Sequence, residues 1–279
     1  DLVGLIDYET INAVMAAVHE VNPNIIFYGE GWDMCTWTSK EGYKDKMTIQ
    51  PNDHLVNTEA GVFAFFNDTI RNVIHGGVFV ATDKGFVSGN VSESTYNTVV
   101  DSYMGNSTWG SNGGSVDTPL QTVNYASCHD NYTLFDNLTL DAMDMTGKTA
   151  AEVAEQAAAM NKLAAAYYIT AQGVPFIHAG EEMLRSKPLP DGGYDHNSYN
   201  NTDAVNSLKW DDLNQAEYQS VFSYYQGLIA FRAAHPALRM TSAEEVSQQI
   251  TKLEGLEFGI TGFHIAPGSN GEENEFVVI

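Results

Sequence analysis

The sequence predicts an α/β fold: the C-terminal half of a (β/α)8 TIM barrel followed by the start of a small antiparallel all-β domain. Three observations carry this. Short apolar runs recur, each followed by polar residues and then by a helical pattern, the alternation that builds a parallel sheet with crossover helices. There are four such runs, at 25–28, 62–66, 123–127 and 174–178, half the complement of an eight-stranded barrel. Beyond residue 238 the character changes: "QITKLEGLEFGITGFHI" alternates and turns on glycine, as antiparallel strands do. The chain therefore divides into a partial barrel over 1–238 and the opening of a β-sandwich domain, truncated, over 239–279.

The elements follow in order. "DYETINAVMAAVHEVNPN" spaces Ile11, Val14, Met15 and Val18 at helical intervals, with Asp7 as N-cap and Pro23 with Asn24 as the stop. "IIFYGEGW" then gives a strand read as buried on both faces, with Glu30 between two glycines at its C-terminal end, where barrel enzymes keep their chemistry. The polar stretch 33–58 is long for a connection. "GVFAFFNDTIRNVIHG" is a strand turning into a short helix, and 88–117, rich in Ser, Asn, Gly and Thr, reads as loop with short helical pieces. "TVNYASCHD" is a third strand ending in charged residues. The clearest helix lies in "TGKTAAEVAEQAAAMNKLAAAYYITAQG", where Thr149 and Glu152 form a capping box and Gly173 sits past the end. "VPFIHAGEE" is the fourth strand, and a polar loop leads to the helix "AEYQSVFSYYQGLIAFRAAHP".

Composition narrows the function. Hydrophobic residues make up 43% of 279, with 14 Tyr, 13 Phe and 4 Trp, enough for a sizeable core. Lys plus Arg number 13 against 36 Asp plus Glu, a formal charge of −23. That charge repels nucleic acid and anionic membranes and leans toward an extracellular setting. Cys35 and Cys128 are far apart and in no metal-binding spacing, so they are expected to be inert thiols. No apolar run approaches the 18 or so residues of a membrane span. The sequence starts at Asp1 without Met and ends inside "NEFVVI", so it reads as a piece of a longer protein.

Polar groups cluster at the strand ends: "GEGW", "FFND", "SCHDN" and "HAGEE", with Asp1 of "DLVGL" as a fifth. Acids repeated at one rim suit glycoside hydrolysis, which needs one carboxyl as acid/base and a second as nucleophile, about 5–5.5 Å apart in retaining enzymes. Trp32 offers an aromatic face for a sugar, and His129 with Asp130 offers hydrogen bonds to hydroxyls. The plainer readings are a solvated rim acid for Glu30, a packed loop residue for Trp32 and a loop-tying pair for His129 and Asp130. Asp68 and Glu182 read as rim groups, and His75 and His178 as core or rim histidines.

With those motifs in view, the chain resembles the type I pullulanases, debranching members of the alpha-amylase superfamily. "DLVGLIDYETIN" resembles the family segment that begins at the nucleophilic aspartate, which implies Asp1 in that role. "YGEGW" resembles the acid/base segment and implies Glu30 as proton donor. "YASCHDNYTLFD" implies Asp130 as transition-state stabiliser and His129 as a sugar hydrogen-bond partner. "GGYDHNSYNNTDAVNSLKW" resembles the loop that holds the branch-point glucan, which implies Asp195, Asn197 and Tyr199 as substrate contacts beside Trp32. "HDNYTL" together with "HNSYN" points to pullulanases rather than generic amylases.

The arginine two residues before the family nucleophile, the early Asn-His motif and the first four strands fall outside this sequence. The resemblance implies an α-glucan polysaccharide or oligosaccharide as substrate, no organic cofactor, and calcium as an ion that relatives commonly carry. It also implies a protein that is extracellular or at the cell surface, with some intracellular relatives. The chain alone is expected to be inactive and to associate with its missing half or with itself. The alternatives are isoamylase-like or other superfamily activity, or a non-catalytic glucan-binding homologue.

Overall fold

The computed structural model describes residues 1–34, 46–49, 61–80, 83–105, 108–109, 114–115, 118–144, 147–257 and 259–278. Most of the 33–58 stretch, with Cys35, lies outside them. In chain order, helix α1 (Tyr8–Val21) leads to β1 (Phe27–Gly29), and β2 (Phe63–Phe66) leads to α2 (Asp68–His75) and α3 (Glu93–Tyr103). The hairpin β3 (Thr108–Trp109) and β4 (Gly114–Ser115) precedes β5 (Thr122–Asn124), α4 (Leu134–Met143) and α5 (Ala150–Thr170). Next come β6 (Val174–Pro175), α6 (Asp203–Asn206), α7 (Ala216–Ala234) and α8 (Ala243–Gln249), then β7 (Ile250–Lys252), β8 (Phe263–Ile265) and β9 (Phe276–Val278).

Strands β1, β2, β5 and β6 form one parallel sheet in that order, with Phe27 opposite Phe63, Phe65 opposite Thr122 and Val123 opposite Val174. Each is one of the four apolar runs, shorter than the sequence predicts. β6 keeps two residues of five; Pro175 has no N–H to give the ladder, and Phe176 makes one more bond to the Asn124 carbonyl before the chain departs. Rings from the four strand ends pack edge to face: Phe66 lies 5.9 Å from Tyr28 and 5.1 Å from both Tyr125 and Phe176.

Two expectations are corrected. The first run is not buried on both faces here: Ile26 is 62% exposed and Tyr28 49%, and among the described residues β1 pairs with β2. In the 88–117 stretch, read as loop with short helical pieces, the helix is longer than expected: α3 takes 11 residues. Ser92 caps it by accepting from the Thr95 N–H, and Val99 and Tyr103, four apart, are buried. Burial of one face outweighs the weak helical propensity of Ser, Asn and Thr.

The core is built on α5. Thr149 and Glu152 close the capping box at 2.8 and 3.3 Å, and buried Ala157, Ala164 and Ala165 let α5 pack closely against its neighbours. At its other end Arg232 of α7 donates to the carbonyls of Ile169, Ala171 and Gly173. Strands β7, β8 and β9 form a separate antiparallel sheet. It shares the same core: Phe263 stacks on Tyr103 with ring centres 3.9 Å apart.

Candidate active site

The site grows from the C-terminal ends of the parallel strands. Glu30 follows β1 directly. The segment 2–5 runs so close to it that a Cβ on Gly4 would meet the Trp32 carbonyl at 2.1 Å and one on Gly29 would meet Val3 at 2.7 Å. Glycine at both positions is what permits the crossing. The Gly4 N–H bonds to the Glu30 carbonyl at 3.1 Å, and Leu2, in a left-handed conformation at φ 57°, donates its N–H to Glu30 Oε2 at 3.0 Å. Trp32 Nε1–H donates to Oε1 at 3.1 Å. Each carboxylate oxygen thus has one fixed donor, and exposed Asp1 adjoins the peptide that supplies one of them.

The turn after β5 carries His129 and Asp130, with side chains 66% and 58% exposed and His129 Nε2 3.7 Å from Asp130 Oδ1. Asn131 follows in a left-handed conformation. Asp130 lines a small cleft with Arg71, His75, Val78, Asn131 and Tyr132. Burial pushes the Cys128 thiol up, and the charges of Asp130 and Glu30 push the same way. Glu30 and the His129–Asp130 turn follow the C-terminal ends of β1 and β5, two strands of one parallel sheet with β2 between them.

Beneath the rim, Arg71 pairs with Asp68 at 2.8 Å and donates to the Tyr125 hydroxyl at 2.7 Å, while that hydroxyl donates to Asp68 at 2.5 Å. Burial raises the Asp68 carboxyl against the opposing pull of Arg71. Fully buried Glu181 accepts from Ser127 at 2.7 Å, Tyr168 at 2.6 Å and Tyr225 at 2.9 Å. Burial pushes its carboxyl up to about 7, opposed by those three hydroxyls. Burial, with Arg185 and Lys187 nearby, pushes His178 down to about 3. It is therefore neutral at physiological pH, with Nε2 3.2 Å from Arg185 Nη1. Burial likewise pushes His75 down to about 4.

The loop after β6 brings the remaining candidates. Asp195 accepts from the Asn197 N–H at 2.8 Å and from Asn201 Nδ2 at 2.6 Å, and these bonds hold its carboxyl below the usual range. Asn197 is exposed and Tyr199 is 82% exposed, its ring open to solvent. His196 packs on Tyr132 with ring centres 5.7 Å apart, tying this loop to the Asp130 turn. So the structure gathers Asp1, Glu30 and Trp32 at one strand end, and His129 and Asp130 at the next but one. Asp195 is joined to His129 through Lys187. Asn197 and Tyr199 are exposed, and of the two Asn197 reaches Asp195 through its backbone N–H. Among the described residues no group of three or more His, Cys, Asp or Glu side chains is arranged to hold a metal ion.

Sequence reading passed over three members of this assembly. Arg71, Glu181 and Lys187 were given no role there. The position of Glu181 beside Glu182 after an apolar run was the one available signal, and the acid that the structure buries is the other of the pair.

No family model matches the chain. Among curated proteins it is similar to a pullulanase of Bacillus subtilis (strain 168), 32% identical over 250 residues, which is 90% of this chain and 32% of that protein. Among solved structures it superposes on a pullulanase from Bacillus acidopullulyticus with a TM-score of 0.81 at 30% identity, covering 99% of this chain and 31% of that one. A pullulanase from Paenibacillus barengoltzii, in complex with maltohexaose and alpha-cyclodextrin, gives 0.81 at 33% identity, with 98% and 38% covered. The chain spans about a third of the length of these relatives. Sequence motifs, fold and likeness agree: this chain is a type I pullulanase-like region of the alpha-amylase superfamily.

Proposed function

We propose that the protein carrying this chain is a retaining glycoside hydrolase that cleaves α-1,6-glucosidic branch links in pullulan, amylopectin and limit dextrins. The observation that carries the reading is the hydrogen bond to Glu30 from the Leu2 N–H, which belongs to the peptide that joins Asp1 to Leu2. In this reading Asp1 is the nucleophile, Glu30 the acid/base and Asp130 the group that binds sugar hydroxyls more tightly in the transition state. His129, Trp32, Asp195, Asn197 and Tyr199 contact the glucan. The four-stranded sheet is the second half of a (β/α)8 barrel over 1–238, and 239–279 opens a β-sandwich domain.

The chemistry runs in two steps. Glu30 gives its proton to the glycosidic oxygen as the bond to the anomeric carbon breaks, and the Asp1 carboxylate attacks that carbon to form a glycosyl ester. Glu30, now a base, takes a proton from water, whose oxygen displaces Asp1 and releases the sugar with retained configuration. The acidic composition suits an uncharged substrate and a protein working outside the cell or on its surface.

The test is release of maltotriose from pullulan by this chain and by a form extended upstream of Asp1, each with and without Glu30→Gln. Cleavage by the extended form alone, lost in Glu30→Gln, supports both the reading and the inactivity of the isolated region. If the extended form folds and binds glucan but does not cut, a glucan-binding homologue is the better description.

A further inference from the structure

Lys187 is 2% exposed, a rare place for an ammonium group, since burying a charge is costly unless partners repay it. Its contacts join three parts of the site. The ammonium donates to the carbonyl of His129 at 3.2 Å. Its backbone N–H donates to Asp136 Oδ2 at 2.8 Å, and Ser186 donates to the other oxygen of that carboxylate at 2.5 Å. Its backbone carbonyl accepts from the Asp195 N–H at 2.8 Å. The charges of Asp195 and Asp136 favour the ammonium, against burial and the neighbouring Arg185.

We propose that Lys187 is a positioning residue that fixes the spacing between the His129–Asp130 turn and the Asp195 loop, so that both grip one glucan. The inference rests on the hydrolase reading above. The turn offers the ammonium a peptide carbonyl, so the lysine sets where the backbone of His129 lies without touching the reacting atoms. The loop leaves from the same residue, one peptide away from its own hydrogen bond. Movement of either element is thereby passed to the other.

The experiment is steady-state kinetics on pullulan in the intact protein, with thermal melts, for Lys187→Met, Lys187→Arg, Asp195→Asn and the Met/Asn double variant. Losing a charged hydrogen bond that places substrate contacts should raise KM roughly tenfold in Lys187→Met, with a smaller fall in kcat and partial recovery in Lys187→Arg. The Lys187 and Asp195 effects should be less than multiplicative when combined. An unchanged KM, or fully independent effects, overturns the proposal. If Lys187→Met does not fold, coupling between His129→Ala and Asp195→Asn reads the same link, and independence there overturns it. Glu30→Gln separates the two claims: full turnover in that variant removes the hydrolase reading, whereas loss of turnover beside an unchanged KM in Lys187→Met removes only the positioning role.

Discussion

Leu2 and Glu30 lie 28 residues apart, yet the backbone N–H of the first is 3.0 Å from Oε2 of the second. The other oxygen is taken by Trp32, so the carboxylate is clamped in one orientation. Trp32→Phe keeps an aromatic face and deletes one donor. We expect kcat/KM on pullulan to fall about tenfold, the factor that about 1.4 kcal/mol corresponds to, with little change in melting temperature. An unaltered kcat/KM would mean that the second donor alone holds Glu30.

The acid under the Asp130 turn makes stability depend on pH. The Glu181 carboxyl is raised from its ordinary 4.5 to about 7 in the fold, so between those values the folded protein keeps a proton that the unfolded chain gives up. The contribution is complete below about pH 4.5 and is lost as pH rises through 7. Glu181→Gln, neutral throughout, should be more stable than the parent at pH 8, by on the order of 1–3 kcal/mol, and about equal at pH 4. Urea titrations at the two pH values decide it. Equal differences at both would show that Glu181 is not the titrating group.

Arg71→Met strips the cation from Asp68 and from the Tyr125 hydroxyl. We expect a loss of about 2–4 kcal/mol, because the partly buried carboxylate is left without its counter-charge. Adding Asp68→Asn to that variant should recover part of the loss. Chemical denaturation of both proteins checks this, and a double variant no more stable than Arg71→Met counts against the account.

Thr149→Ala removes one half of the capping box on α5. The cost should be about 1 kcal/mol, as for other N-cap deletions, with activity per folded molecule preserved. A calorimetric melt reads the first and specific activity the second. A null effect on stability would place the weight of that helix start on Glu152 alone.

The parts of the fold set by local pattern were legible from residues alone. Asp7, Thr149 and Glu152 announced helix starts that the structure shows bonded as expected, and the four apolar runs appear as four neighbouring parallel strands. What could not be read depends on partners far along the chain. Ser92 was a cap signal hidden in a polar stretch whose helix forms because Val99 and Tyr103 find a core to enter. Exposure of Ile26 and Tyr28 depends on what packs over that end of the sheet, which no window of sequence displays. In the site, the motifs pointed to Glu30, His129, Asp130 and Asp195. Of the groups that brace them, Arg71 and Lys187 carry no local mark, and Glu181 carries only its place after an apolar run, since a buried charge and a surface one are the same letter.

The donor that Leu2 gives to Glu30 belongs to a peptide group, and this bears on how the region can drift over generations. A side-chain donor disappears with a single codon change, but every amino acid except proline supplies an N–H. The selectable constraint at position 2 is therefore conformational. Residues that tolerate the left-handed region, such as Asn, Asp or Gly, preserve the contact, while Val or Ile there would forfeit it through φ rather than through chemistry. Variation at this position should follow backbone compatibility and ignore polarity.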